Sequence, residues 1–391
     1  MSNTDPLIYI IAGEPSGDAL GARLIAALRV ASEGRIRFAG IGGTSMAREG
    51  LFSLFDPAEI AIIGLLEILP HIPKILFRVQ ETVADIVRRR PAVLVTIDSW
   101  GFTGRVNKIL RALQLPILQI HYVAPMVWAW YERRAADLAR CVDHLITLFP
   151  HESVYFARAG VSVVCVGHPI IESGAGWGDG SAFRSRYALA NTAPLLCVLP
   201  GSRSCEVKRL LPVIARTVKQ LSLKRPNLQV VLPTVDSMKD YVLKNVRTWT
   251  NPVKVVYTAR DKYDAFAAAD IALTAAGTVV LELALAQLPM IVTYRVTSIS
   301  AWIFRRLSQV RYINLVNLLL DRPVVPELLQ AQCQPTLLAA EVERLLDDAT
   351  ARATQRVAFH EATRRLGYGG LAPSIRAAQL ILGFLDRQRQ Q

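Results

Sequence analysis

The sequence is poor in the features that fix a protein class by themselves. Five cysteines (Cys141, Cys165, Cys197, Cys205, Cys333) are scattered over 391 residues without CxxC or zinc spacing, which excludes a disulfide framework and a zinc finger. Six histidines form no HExxH and no dense cluster. A reduced cytoplasmic chain without a metal is the expectation. The first apolar run, Leu7–Ala12, is short and meets Gly13-Glu14-Pro15, so no secretory leader is expected. One weakly charged stretch, Ile271–Tyr294, has the length of a bilayer span. Glu282, Gln287, Pro289 and the turn at Ala276-Gly277-Thr278 mark it instead as a buried strand–turn–helix. No internal repeat is visible.

Acidic residues are outnumbered, 32 against 45 basic, leaving a formal charge of +13. Such a balance calls for an anionic partner or surface. No nucleic-acid module is present, and the arginines are dispersed in pairs and triplets (Arg88–Arg90, Arg133-Arg134, Arg305-Arg306, Arg364-Arg365). Anionic lipid or a phosphorylated substrate fits the charge as well. With 52% hydrophobic residues and a mean hydropathy of +0.29, the chain is apolar for a soluble protein. Its length suits two domains better than one core.

Short apolar runs alternate with helical periodicity from Leu7 to Gly167 and again from Leu195 to Tyr294, which predicts two parallel sheets flanked by helices. The expected division is a first domain over 1–172, a glycine-rich linker over 173–181 (SGAGWGDGS), a second domain over 182–366 and a final helix within 367–391. The Gly367–Gly370 hinge permits that helix to return to the first domain or to swap into a homodimer.

Several strand ends carry chemistry. Glu14, Ser16, Gly17 and Asp18 follow the first strand, and Asp98 follows the run Ala92–Ile97, at the end where open α/β sheets place ligands. Asp98 suits a helix cap or a general base. The order G-x-x-S-G excludes the nucleophile elbow of a serine hydrolase, and Gly40-Ile41-Gly42-Gly43 is not a dinucleotide fingerprint. Leu195–Leu199 runs into Pro200-Gly201-Ser202-Arg203 and a helix start at Glu206, a corner that offers N–H groups and a guanidinium to an anion. Ala276-Gly277-Thr278 before Glu282 is a second such corner. Glu282 serves either ribose hydroxyls or an ion pair with an arginine. Ile60–Val79 is either a core helix broken by Pro70 and Pro73 or an amphipathic element that dips into a bilayer surface, with Lys74 and Arg78 at the headgroups.

Taken in order, the motifs GEPSGDALGA (Gly13–Ala22), GIGG (Gly40–Gly43) with Met46, Ile97-Asp98, VWAW (Val127–Trp130), VGHP (Val166–Pro169), LPGSR with Glu206, AGT with Leu281-Glu282, and Asn317 with PELLQ (Pro326–Gln330) resemble the lipid-A-disaccharide synthase family. These are inverting glycosyltransferases with two Rossmann-like domains facing across a cleft, the GT-B arrangement. The resemblance implies transfer of a 2,3-diacylglucosamine from UDP to diacylglucosamine 1-phosphate, without metal or cofactor. It assigns the nucleotide sugar to Gly201, Ser202, Arg203, Glu206, Gly277, Thr278, Glu282, Asn317 and Gln330. Catalysis falls to Asp98 with Glu14 and Asp18, and the acceptor loop to Ser16 and Gly17. Both substrates carry acyl chains, so it also favours membrane docking through Ile62, Leu65, Leu66, Ile68, Leu69, Ile72, Ile75 and Leu76, at the cytoplasmic face of the inner membrane. Trp100-Gly101-Phe102-Thr103, Ala276, His151 and Val316 depart from the family pattern. A UDP-sugar 2-epimerase and a non-catalytic binder of anionic lipid or nucleic acid are the alternatives.

Overall fold

The structure, a computed structural model, describes residues 5–60, 71–125, 132–297 and 311–390. The VWAW motif and Ile62, Leu65, Leu66, Ile68 and Leu69 lie outside them. The chain forms two compact units, residues 1–169 with 369–391, and residues 170–368.

The first unit runs β1 (Leu7–Ala12), α1 (Pro15–Ala31), β2 (Arg37–Ile41), α2 (Thr44–Arg48), α3 (Ile72–Arg89), β3 (Val93–Ile97), α4 (Trp100–Ala112), β4 (Leu118–Tyr122), α5 (Glu132–Ala139), β5 (His144–Thr147), α6 (Pro150–Arg158) and β6 (Ser162–Cys165). Its six parallel strands lie in the order β2-β1-β3-β4-β5-β6. The order reverses between β1 and β3, so the loops after these two strands flank the crevice that such sheets offer to ligands. Strands β1 and β3 are nearly all apolar and buried, as expected with helices on both faces.

The second unit runs α7 (Gly180–Arg186), β7 (Leu195–Leu199), α8 (Ser204–Lys224), β8 (Gln229–Pro233), α9 (Lys239–Val246), β9 (Val253–Val256), α10 (Ala259–Ala268), β10 (Ile271–Ala275), α11 (Val279–Leu285), β11 (Met290–Tyr294), α12 (Leu315–Leu320), β12 (Glu327–Leu329), α13 (Pro335–Asp347) and α14 (Ala349–Arg365). Its order, β12-β11-β10-β7-β8-β9, is again parallel throughout and reverses between β7 and β10. The two glycine corners read from the sequence are the loops after those two strands.

The last helix, α15 (Pro373–Gln390), belongs to the first unit. Ala377, Ala378, Ile381, Phe384 and Leu385 bury one stripe of it in the core formed by β1, α1 and β3. At about 1.5–3 kcal/mol for a large apolar side chain, Ile381, Phe384 and Leu385 hold it there. Arg376 adds hydrogen bonds to the Cys165 and Val166 carbonyls at 3.0 and 2.9 Å.

Gly176, Gly178 and Gly180 act by close packing where a flexible linker over 173–181 was expected. A Cβ on Gly178 would stand 2.0 Å from the Tyr263 carbonyl oxygen, and one on Gly180 would stand 2.5 Å from that of Ala267. Asp179 donates its N–H to Asp264 Oδ1 at 2.8 Å. These residues are part of the second unit's body, and the chain leaves the first unit at Pro169. Pro73 likewise starts α3 instead of breaking a helix, since its missing N–H costs nothing in the first turn.

Candidate functional site

In the first unit, Asp98 and Ser99 follow β3 with φ of +51° and +47°, two consecutive left-handed residues. Non-glycine residues hold this conformation only where the surroundings impose it. Here the Asp98 N–H donates to the Tyr122 carbonyl at 3.0 Å, and its carbonyl accepts from Thr103 Oγ1 at 2.8 Å. The Asp98 side chain is half-buried, and Oδ1 accepts from the Ser99 N–H at 2.8 Å. Burial pushes its carboxyl above the usual carboxylate range, opposed only by that hydrogen bond. Proton acceptance is the chemistry such a group is poised for. Gly13 packs against the next residue: a Cβ there would lie 2.9 Å from Ser99 Oγ.

Glu14 is the N-cap of α1, with Pro15 at the first helical position and Ser16 exposed beside it. Gly17 is buried, with the place of its Cβ 3.4 Å from Ala12 Cβ, so it packs the helix against β1. Asp18, which the resemblance gave a catalytic place, is engaged inside the unit. It is 6% exposed, and its carboxylate accepts the N–H groups of Gly43 (2.7 Å), Ser45 (2.9 Å) and Met46 (3.0 Å). Those are the orphan donors of the α2 N-terminus, so Asp18 joins α1 to α2.

In the second unit, the loops after β7 and β10 wall a cavity of about 430 Å³ that brings together Gly201, Ser202, Arg203, Glu206, Gly277, Thr278 and Glu282. Gly201 has φ +111°, and a Cβ on it would lie 2.7 Å from Glu206 Oε2. Only glycine leaves room for that carboxylate over the turn. Arg203 is the N-cap of α8, its side chain largely exposed and loosely paired to Glu206 at 3.5 Å. Gly277 has no atom within 4 Å of the place of a Cβ, so it opens onto space.

Three polar wall residues were not anticipated: Lys262, Tyr294 and Thr234. Lys262 Nζ lies 2.9 Å from both oxygens of Glu282, and Tyr263 donates to Oε1 at 3.3 Å. The ion-pair reading of Glu282 therefore holds with a lysine in place of an arginine. Tyr294 donates to Glu206 Oε1 at 3.0 Å, and burial together with that carboxylate pushes its phenol up to about 12.

Asn317 and Gln330 are not in the cavity wall. Asn317 is buried, and its amide donates to the Val325 carbonyl and Glu327 Oε1 while its oxygen accepts from the Val324 and Val325 N–H groups. All four hydrogen-bonding positions of the side chain are filled, which leaves none for a ligand. Gln330, at φ +51°, turns its amide oxygen to the Val296 N–H (3.2 Å) and its nitrogen to the Val296 carbonyl (3.3 Å). Both residues shape the segment beside β11 and β12.

Of the apolar segment, Ile75 packs into the first unit's core, whereas Ile72, Leu76 and Phe77 are 39%, 47% and 64% exposed. The basic residues beside them are engaged. Glu59 pairs with Lys74 (3.2 Å) and Arg78 (2.7 Å), and Arg78 also pairs with Glu81 and stacks over Phe55. Among the described residues no three His, Cys, Asp or Glu converge as a metal set, and no helix is long and apolar enough to cross a membrane.

Known proteins extend this geometry. The family described as lipid-A-disaccharide synthetase matches residues 8–369. A lipid-A-disaccharide synthase of Paramagnetospirillum magneticum is 50% identical over 387 residues, covering 98% of this chain and 99% of its own. That of Rhodospirillum centenum is 48% identical over 382 residues, covering 98% and 95%. In fold, the chain is similar to Staphylococcus aureus MnaA solved with UDP (TM-score 0.65, 15% identity, 97% of each chain). It is also similar to the UDP-GlcNAc 2-epimerase of Neisseria meningitidis (TM-score 0.61, 10% identity, 97% and 99%). At such identities these two show the fold alone.

Proposed function

The chain belongs to the lipid-A-disaccharide synthase family, and we propose that its first unit supplies the base and the membrane contact while its second holds the nucleotide. The reaction joins UDP-2,3-diacylglucosamine to 2,3-diacylglucosamine 1-phosphate, giving a β-1′,6 disaccharide and UDP. The epimerase alternative falls, because the close sequence relatives are synthases and the epimerases share only the fold.

In this reading Asp98 takes the proton of the acceptor 6-hydroxyl as its oxygen attacks the anomeric carbon. The bond from that carbon to the diphosphate oxygen breaks, and UDP leaves with the electron pair. The attack from the opposite face inverts the centre. Donors placed where charge develops on the leaving group lower the barrier most. The turn after β7 offers the α8 N-terminus and Arg203, and Gly277 and Thr278 line the opposite wall. The observation that carries the proposal is Asp98 itself: a half-buried carboxylate, raised above its usual range, at the switch point of the first sheet. Glu14 and Ser16, at the start of α1, are read as acceptor contacts.

Ile72, Leu76 and Phe77 are read as the described part of a surface that reaches acyl chains at an anionic membrane face. The test is to incubate the purified protein with both substrates and measure UDP and disaccharide for wild type, Asp98→Asn and Arg203→Ala. Equal amounts of both products from wild type, lost in folded Asp98→Asn and with a raised donor KM in Arg203→Ala, are expected. Full turnover in Asp98→Asn overturns the base.

A further inference from the structure

Glu206 is a negative charge in the place where a helix N-terminus would receive an anion. Its Oε2 accepts from the Ser202 and Arg203 N–H groups, both at 3.3 Å, while Oε1 takes the Tyr294 hydroxyl at 3.0 Å. The first two bonds are long for an ionised acceptor, which normally draws an N–H to about 2.7–2.9 Å. The side chain is held over the turn by the absence of a Cβ at Gly201. Reaching back to the N-cap N–H is the capping-box contact, so a purely structural role for Glu206 is the simpler account to beat.

We infer that the Glu206 carboxylate is a gate on the diphosphate position: it sits on the N–H donors that a nucleoside diphosphate needs, and Tyr294 is the partner that retains it when the diphosphate takes them. This rests on the nucleotide binding at the corner between β7 and α8. Because the Tyr294 phenol is pushed up to about 12, it stays a donor at any working pH. The carboxylate opposes a diphosphate twice, by occupying its donors and by like charge at short range. Both substrate and product carry that group, so the gate keeps UDP binding weak and speeds its release after transfer.

Isothermal titration of UDP and of uridine, against wild type, Glu206→Gln, Tyr294→Phe and Gly277→Val, tests it. Glu206→Gln removes the charge and keeps the shape, so the UDP Kd falls by about tenfold while that of uridine is unchanged. Tyr294→Phe removes the second partner without touching the cap, and the UDP Kd rises about threefold, again with uridine unchanged. Gly277→Val fills open space in the opposite wall and weakens both ligands. If Gly277→Val weakens UDP but folded Glu206→Gln does not tighten it, the gate is wrong and Glu206 is a helix cap. If neither variant moves UDP, the nucleotide site lies elsewhere and both readings fall.

Discussion

Lys262 holds both carboxylate oxygens of Glu282 at 2.9 Å, reaching from α10 to α11 at the wall of the second unit's cavity. The pair is largely buried, with side-chain exposures of 28% and 13%. Removing one partner leaves a carboxylate in poor solvent, and this costs more than the pair itself contributes. Lys262→Met should therefore destabilise the protein by about 1–3 kcal/mol in urea unfolding. Adding Glu282→Gln should recover part of that loss, and strict additivity of the two single variants would show that they do not interact.

Asp98 carries a pH prediction with a defined sign. Its folded carboxyl is raised by burial, so the basic form fills only as pH climbs past the ordinary carboxylate range. The acid limb of kcat/KM, which reports the free enzyme, should accordingly lie above that range. For stability, a raised carboxyl favours the protonated fold. That contribution is fully present below the unfolded value and is lost as pH rises through the folded one. At neutral pH the charge is thus a burden on folding. Asp98→Asn, which tolerates the left-handed backbone, should raise the Tm at neutral pH while abolishing turnover. A lower Tm, or an unchanged one from acid to neutral pH, would remove the desolvation argument.

Most strands were legible as short apolar runs, several of them closed by glycine, proline or aspartate, and β7 with its Pro200-Gly201 stop is the clearest case; the three-residue β12, half-buried and headed by Glu327, was not. The two corners were legible for the same reason. The partners of the carboxylates were not. Asp18 accepts backbone N–H groups 25 to 28 residues further on, a contact made by the packing of α1 on α2 that side-chain type does not encode. Asn317 looks like a ligand contact until the chain folds Val324, Val325 and Glu327 around it. Lys262 had a usable signal: Thr258 accepting from the Asp261 N–H starts α10 and fixes the helix phase that carries Lys262. Glycines at 178 and 180 misled because close packing and flexibility use the same residue.

Asp18 separates structure from catalysis. Asp18→Ala leaves three N–H groups at the start of α2 without their acceptor, and one of the donors is the N–H of the fully buried Met46. The expected loss is about 2–3 kcal/mol in urea unfolding. Folded Asp18→Ala should keep kcat within about threefold of wild type, since the removed group is an internal cap. A kcat collapse with unchanged stability would return Asp18 to the catalytic set.

Membrane contact through α3 should be driven by apolar insertion more than by charge. Ile72, Leu76 and Phe77 are exposed, yet the neighbouring Lys74 and Arg78 already face Glu59 and Glu81. Paired cations gain little from a headgroup, whereas unpaired ones contribute about 1 kcal/mol each. Leu76→Gln with Phe77→Gln should therefore reduce sedimentation with vesicles of phosphatidylglycerol and phosphatidylethanolamine several-fold. Turnover of short-chain, water-soluble substrates should be unchanged, because neither side chain touches the cavity or Asp98. Raising the salt should weaken vesicle binding only in part, by screening the +13 charge spread over the rest of the chain. Binding that vanishes with salt and ignores the double variant would instead place the contact on unpaired arginines elsewhere.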